Sequence, residues 1–231
     1  MVEPLKNGSA PANEDCPTNL DLAVVLGAMI AVTVIAPCAP NARIVLRHEG
    51  LVVTGLTTAT GALFTSLPAL TANATIEAVL ADGTHFSANL DVPEAADFRR
   101  FGVQWQDGDA FQVNAYQDGA ANGKDGHIFV VQPGVASDDG GYLQILGDPA
   151  AGMPLLAEIY TYSAKAISVD VQIESAVTEK TCGRELLGET IASQGGVVFV
   201  TDLSLSMPDC SAIGDFLVLN NLAQDMTLAA K

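Results

Sequence analysis

Basic residues are scarce in this chain of 231 residues, which has 10 Lys and Arg against 27 Asp and Glu and a net charge of −17. A surface of this sign repels phosphate backbones and anionic lipid headgroups at long range. The composition therefore argues against nucleic-acid binding. It suits either a protein that acidity keeps dispersed or one that binds cations.

Aromatic residues are also few, at 6% of the chain, with Trp105 as the single tryptophan. Carbohydrate-binding proteins usually stack sugars on exposed aromatic rings, so this composition gives little support to that role. Trp105 follows Val103 and Gln104 in a predicted strand at residues 101–106. We expect it in the core or at a domain junction.

Local catalytic motifs are missing: the sequence has no G-x-S-x-G, no dinucleotide-binding glycine pattern, no P-loop and no H-E-x-x-H. Its three histidines, His48, His85 and His127, fall at the ends of predicted strands without flanking motifs. The sequence therefore predicts no catalytic residues and a protein that is not an enzyme. A glycosidase pair of carboxylates leaves no local signature, so that alternative stays open.

The uncharged, apolar stretch of residues 22–37 is too short for a membrane helix. Sixteen residues of helix would span about 24 Å, against a hydrocarbon core of about 30 Å. Its apolar residues alternate with period two around Gly27, which predicts a β-hairpin and no transmembrane segment. The first fifteen residues contain no hydrophobic region, so we expect that an export signal has already been removed and that Met1 need not be native.

The four cysteines form two similar units, in which a cysteine, an apolar strand pattern, Pro and a second cysteine precede another strand. The steps from Cys38 to Ile44 and from Cys210 to Phe216 are both six residues.

Four cysteines allow three pairings, of which Cys16 with Cys38 and Cys182 with Cys210 is the simplest. Loops of about 20 to 30 residues would each contribute about 3 kcal/mol. The alternative to disulfides is that the cysteines bind a metal or remain free thiols, although the sequence contains no C-x-x-C motif. Disulfides predict a periplasmic or extracellular protein.

Short strand patterns separated by Gly, Pro, Asn and Asp turns run along the whole chain, which predicts an all-β protein of two Ig-like β-sandwich domains with very little helix. Only residues 93–100 and 183–191 have short helix-like patterns. We expect a polar arm at residues 1–15, a first sandwich at 16–106, and a second sandwich at 107–231 with a loop-rich acidic insertion at about 117–141.

Residues 43–70 carry a family resemblance. A strand is followed by a T-x-x-x-G turn at Thr57 to Gly61, then Leu63-Phe64, then an L-P-x-L strand starting at Leu67. This pattern resembles the bacterial carboxypeptidase-regulatory or transthyretin-like modules over about fifty residues. The resemblance implies an Ig-type seven-stranded sandwich that acts as a spacer or binding unit and carries no catalytic residues. The chain as a whole is similar to exported bacterial proteins without an assigned activity.

The strongest candidate for a metal site is an acidic, glycine-rich stretch. Calcium takes six to eight oxygen ligands, which carboxylates on flexible turns can supply. The spacing does not match an EF-hand loop, and Asp-Gly and Asn-Gly pairs also serve hairpin turns without a metal. The candidates are Asp107, Asp109, Asp118, Asn122 and Asp125, with Asp138 and Asp139 further along.

These observations predict an exported, non-catalytic structural or protein-interaction subunit of a cell-envelope or extracellular assembly. A protein partner or self-assembly would use an exposed edge strand, because unpaired backbone groups there can pair with another chain. No cofactor is expected. The alternative is a secreted calcium-dependent carbohydrate-binding protein or hydrolase that uses the acidic loops of the second domain.

Overall fold

The structure, a computed structural model, describes residues 16–106, 111–166 and 168–220. Within these ranges the chain forms sixteen β-strands and two short 3₁₀ turns, and no α-helix. None of the described segments forms a helix that could span a bilayer. The prediction of an all-β fold is confirmed.

The first seven strands form a sandwich of two antiparallel sheets, with orders β1-β2-β5 and β4-β3-β6-β7. Their buried side chains, among them Val34, Leu46 and Ile76, belong to one hydrophobic cluster. The strands alternate between buried and exposed positions, as the period of two in the sequence predicts. Their bounds are β1 Asn19–Val25, β2 Met29–Ile35, β3 Arg43–His48, β4 Leu51–Leu56, β5 Ala62–Pro68, β6 Asn73–Leu80 and β7 His85–Asp91.

The remaining strands form a second sandwich, with a five-stranded sheet of order β11-β12-β8-β14-β15 and a four-stranded sheet of order β10-β9-β13-β16. Its core includes Phe101, Val113 and Ile173. The bounds are β8 Phe98–Gln106, β9 Gln112–Gln117, β10 His127–Ile128, β11 Gly140–Leu146, β12 Leu155–Ser163, β13 Val169–Ala176, β14 Glu185–Gln194, β15 Val197–Ser206 and β16 Phe216–Leu219.

Strand β8 is the centre of the five-stranded sheet, hydrogen bonded to β12 on one side and to β14 on the other. The predicted boundary at residue 107 had grouped this strand with the first sandwich, and the pairing places it in the second. The chain passes between the sandwiches earlier, at the 3₁₀ turn Pro93–Asp97. The turn-forming residues after Gln106 favoured a domain boundary there in the sequence. Such residues do not distinguish a hairpin turn from a domain junction.

Two expected helix-like segments have other structures. Residues 93–100 form the 3₁₀ turn and the start of β8, and residues 183–191 fall largely in strand β14. β14 pairs along its full ten residues with β15, so hairpin formation overrides the helix propensity of Glu185, Leu186 and Leu187.

The two sandwiches are joined by side chains of the five-stranded sheet that bind backbone carbonyls of the first sandwich. The buried Arg100 donates from Nη2 to the carbonyl oxygens of Gly27 (3.0 Å) and Ala28 (2.9 Å), and the Tyr142 hydroxyl also donates to Gly27 (2.8 Å). Burial lowers the pKa of Arg100 to about 10, which leaves it charged at neutral pH. Since the other face of the sheet packs on the four-stranded sheet, the five-stranded sheet is a central layer.

Both disulfides close the open end of a β-hairpin. Cys16–Cys38 joins the ends of the β1–β2 hairpin, and Cys182–Cys210 joins the ends of the β14–β15 hairpin. This is the neighbouring pairing among the three that the sequence allows, and no free cysteine remains. The two similar units of the sequence are therefore two stapled hairpins, each followed by the next strand of its sandwich.

Candidate functional site at a sheet edge

The predicted calcium ligands are distributed over exposed turns. Asp107 and Asp109 lie outside the described residues. Asp118, Asn122 and Asp125 are exposed in the turns after β9. No group of three or more His, Cys, Asp and Glu side chains within the described ranges is arranged to hold a metal ion.

The acidic candidates instead take part in turns and contacts between segments. Asp118 has a φ of +50° and is followed by Gly119 at +74°, a pair of left-handed residues of the kind that a tight turn requires. Asp138 accepts a hydrogen bond from the backbone N–H of Gly27 (3.2 Å) and so holds the β1–β2 turn against the loop before β11. Asp118 and Asp138 therefore each have a structural role.

The acidic insertion is held by a stack of three rings centred on His127. Its imidazole lies 4.5 Å from the Tyr116 ring and 4.3 Å from the Phe129 ring, nearly parallel to both. Nδ1 accepts from the backbone N–H of Gly123 (2.9 Å), so Nε2–H donates to Asn114 Oδ1 (2.9 Å). Burial lowers the pKa of His127, in agreement with a neutral ring. The sequence offered no signal for this role beyond a histidine beside Ile128.

Replacing His127 with alanine is expected to loosen the insertion and to reduce the free energy of unfolding by about 2 kcal/mol, because both ring contacts and two hydrogen bonds are lost. Limited proteolysis should cut residues 118–139 faster than in the parent protein. His85→Ala removes an exposed histidine and is the matched control. Equal cleavage rates in the two variants would contradict this role.

The aromatic face of β12 is internal. Tyr160 is fully buried and stacks on Tyr162 with ring centroids 5.5 Å apart, and its hydroxyl accepts from Gln117 Nε2 (2.8 Å). On the neighbouring strand β8, Trp105 contacts Phe111 edge to face and is nine-tenths buried. These aromatic side chains are part of the core between the sheets and do not form an exposed stacking surface.

Among the residues that the structure describes, the outer edge of strand β15 is the longest unpaired sheet edge next to exposed apolar side chains. β15 pairs with β14 on one side, and no described residue forms backbone hydrogen bonds with the other side. Val197, Phe199 and Val200 are 53%, 42% and 42% exposed. The strand contains no Lys, Arg, Pro or bulge, the features that usually protect an edge. Alternate residues therefore offer free N–H and C=O groups to another strand.

The neighbouring edge strand of the other sheet lies on the same side of the second sandwich. β10 contacts β11 at one side, so β16 and β15 close the opposite side. On β16, Phe216 is 59% exposed and Val218 is 39% exposed. The described part of this side therefore presents apolar side chains on two parallel edges.

A cavity of about 580 Å³ adjoins β15, where the five-stranded sheet meets β4 of the first sandwich. We call it the edge cavity. Its walls are largely apolar, and its polar groups include Glu189 and Asp202, which lie directly opposite each other on β14 and β15. Gln104 donates from Nε2 to Glu189 Oε2 (2.5 Å). The residues that line it are Val52, Gln104, Trp105, Gln106, Leu155, Leu187, Gly188, Glu189, Asp202, Leu203 and Ser204.

The pair of carboxylates has no cation beside it within the described residues, and neither β14 nor β15 contains Lys or Arg. Like charges directly opposite each other on paired strands destabilise the sheet. The sequence did contain a signal for this pair. Gly195-Gly196 is a two-residue turn with φ of +57° and +78°, and such a turn sets the register that brings Glu189 opposite Asp202.

Comparison of the chain with protein-family models, with curated proteins and with solved structures gave no match. The resemblance of residues 43–70 to carboxypeptidase-regulatory or transthyretin-like modules stays a prediction.

Proposed function

We propose that this protein is a non-catalytic interaction subunit of an extracytoplasmic assembly, and that it docks its partner on the outer edge of β15. The observation that carries the proposal is this ten-residue edge, which is unpaired within the described residues, is flanked by exposed valine and phenylalanine, and contains no lysine, arginine or proline. An extended segment of a partner would add a strand there through backbone hydrogen bonds. The two disulfides support an oxidising compartment, either periplasmic or extracellular.

The occupant that we propose is a segment of a different protein and not a second copy of this chain. Two copies would bring together surfaces with a net charge of −17 each. An antiparallel β15–β15 contact would also bring the Asp202 carboxylate of the second copy to an edge that already has an unbalanced acidic pair. Charge complementarity therefore favours a partner that is basic along this edge.

A photo-crosslinking amino acid at position 199 tests this proposal, with the same amino acid at position 64 as the control. Phe64 is 68% exposed on β5, the outer strand of the three-stranded sheet, so it offers an aromatic edge position in the other sandwich. In native envelope preparations we expect a specific product from position 199. Mass spectrometry identifies the partner, whose crosslinked segment should be extended.

With the identified partner purified, Phe199→Lys should weaken binding at least tenfold, because a charge on the edge opposes strand addition. Phe64→Lys should leave the affinity within about twofold. Partner binding that is insensitive to Phe199→Lys, or a crosslink confined to position 64, would refute docking at β15.

The calcium-dependent sugar-binding or hydrolase alternative has no observation in its favour among the described residues. A melting temperature measured in chelator and in millimolar calcium tests it directly, since a ligand that binds only the folded state raises the temperature by linkage. A clear rise in calcium would revive that alternative.

A further inference from the structure

We infer that the edge cavity receives a long basic side chain, lysine or arginine, from the segment that adds to β15. This inference rests on the proposed docking function and specifies the partner's chemistry at one position. It combines three features of the same place: an unpaired edge, an apolar-walled cavity beside it, and two carboxylates without a cation.

The register of β15 determines where such a side chain enters. Val200, Asp202 and Ser204 lie on one face of the strand, and Asp202 and Ser204 line the edge cavity. A strand added beside β15 lies about 4.8 Å away, and every second side chain of that strand lies on the same face. The added strand therefore brings one of its side chains next to Asp202, at the rim of the cavity.

The composition of the edge cavity suits a lysine or arginine better than a short polar or an apolar side chain. The methylene stem can lie against Val52, Leu155 and Leu187, which line the cavity, while the charged head reaches Glu189 and Asp202. A cation there relieves the repulsion between the carboxylates and forms charge-assisted hydrogen bonds. A purely apolar side chain would leave both carboxylates uncompensated.

Trp105 gives a way to detect an occupant, because it is one of the residues at the edge cavity. Its side chain packs against Phe111 in the core between the two sheets of the second sandwich and is nine-tenths buried. As the only tryptophan in the sequence, Trp105 reports occupancy through its fluorescence.

The test uses the full chain and a blocked nine-residue peptide that alternates threonine and valine and has lysine at its centre. A matched peptide has norleucine in place of lysine, which keeps the stem and removes the charge. We expect the lysine peptide to change the fluorescence of Trp105 saturably and to protect β15 amides from hydrogen exchange. The norleucine peptide should bind at least tenfold more weakly.

Two protein variants and a control locate the charge. Glu189→Gln and Asp202→Asn should each weaken the lysine peptide at least fivefold without changing the affinity for the norleucine peptide. Glu185→Gln removes the same charge from the same face of β14 but outside the edge cavity, and should change the affinity less than twofold.

The outcomes separate this inference from the proposed function. If both peptides protect β15 amides with equal affinity, or if Glu189→Gln and Asp202→Asn bind the lysine peptide like the parent, the basic-side-chain inference is refuted while docking at β15 stands. If neither peptide protects β15 amides, both the inference and docking by strand addition are refuted.

Discussion

Replacing Gly102 with alanine is expected to unfold the second sandwich, with a loss of more than about 4 kcal/mol in the free energy of unfolding. A β-carbon at position 102 would lie 2.0 Å from the carbonyl oxygen of Glu158 and 2.8 Å from the Cα of Ile159. Both atoms belong to the backbone of β12, which cannot move aside as a flexible side chain can. Because β14 binds the other side of β8, the strand cannot shift away without breaking that pairing.

Chemical denaturation followed by the fluorescence of Trp105, three residues further along β8, measures this loss. Gly83→Ala is the matched control, since it places a methyl group where no atom lies within 4 Å, at a residue with φ of +87°. That substitution should cost about 1 kcal/mol from backbone strain alone. If Gly102→Ala were as stable as Gly83→Ala, the close approach of β8 and β12 would be wrong.

The cysteine pairing and the β1–β2 hairpin were the parts of the fold that could be predicted most directly from the sequence. Each disulfide follows from a local pattern, because a cysteine before one strand and a cysteine after the next are brought together as soon as the hairpin forms. Period-two alternation in strands such as β6 likewise follows from one buried face and one exposed face.

The central layer could not be predicted in the same way. Nearly every residue of β8 is buried, because Phe101 packs on the four-stranded sheet while Phe98 and Arg100 face the first sandwich. A strand with two buried faces loses the alternation that marks its sheet, so sequence periodicity cannot say which sandwich it joins. The burial of Arg100 could not be predicted either, since its hydrogen-bond partners are backbone carbonyls 72 and 73 positions away in the sequence.

Part of the candidate site could be predicted from the sequence. An exposed edge strand was expected as a docking surface, and the apolar run Val197 to Val200 marks one. The acidic pair in the edge cavity was not predicted, because the helix-like pattern of residues 183–191 conceals that Glu189 belongs to a β-hairpin. The cavity itself depends on how β4 of the first sandwich meets the five-stranded sheet, a long-range contact that no local pattern encodes.

Replacing Glu158 with glutamine is expected to make the protein relatively more stable at high pH, by about 3 kcal/mol between pH 4.5 and pH 8. The side chain is 5% exposed within the second sandwich, and the hydrogen bond that its Oε2 accepts from a described residue comes from the backbone N–H of Val113 (2.6 Å). Burial raises its pKa from 4.5 to about 7. The folded state therefore holds a proton more tightly than the unfolded state does. Its contribution is fully present below pH 4.5 and is lost as the pH rises through 7.

The pH dependence of the parent protein alone would hide this effect, because His48 opposes it. His48 is buried, with Nε2 accepting from the backbone N–H of Leu70 (2.9 Å) and Nδ1 bound to the carbonyl oxygen of Thr75 (3.1 Å). Burial lowers its pKa from 6.5 to about 4, so the stability that it contributes is present above pH 6.5 and lost as the pH falls through 4. The two residues act with opposite sign over overlapping windows.

The measurement is therefore the difference in the free energy of unfolding between Glu158→Gln and the parent, determined by urea denaturation at several pH values, in which the His48 contribution cancels. At pH 4.5 the variant should be equal to the parent or slightly weaker, because the amide N–H₂ lacks an acceptor. At pH 8 it should be the more stable protein, since the parent must then keep a carboxylate buried. Glu179→Gln, at an exposed glutamate, corrects for the loss of one negative charge from a chain of net charge −17. The contradicting outcome is a difference in the free energy of unfolding that stays constant from pH 4.5 to 8 after this correction. It would mean that the ionised Glu158 side chain reaches solvent, and the tight packing of β12 against β9 would then be wrong.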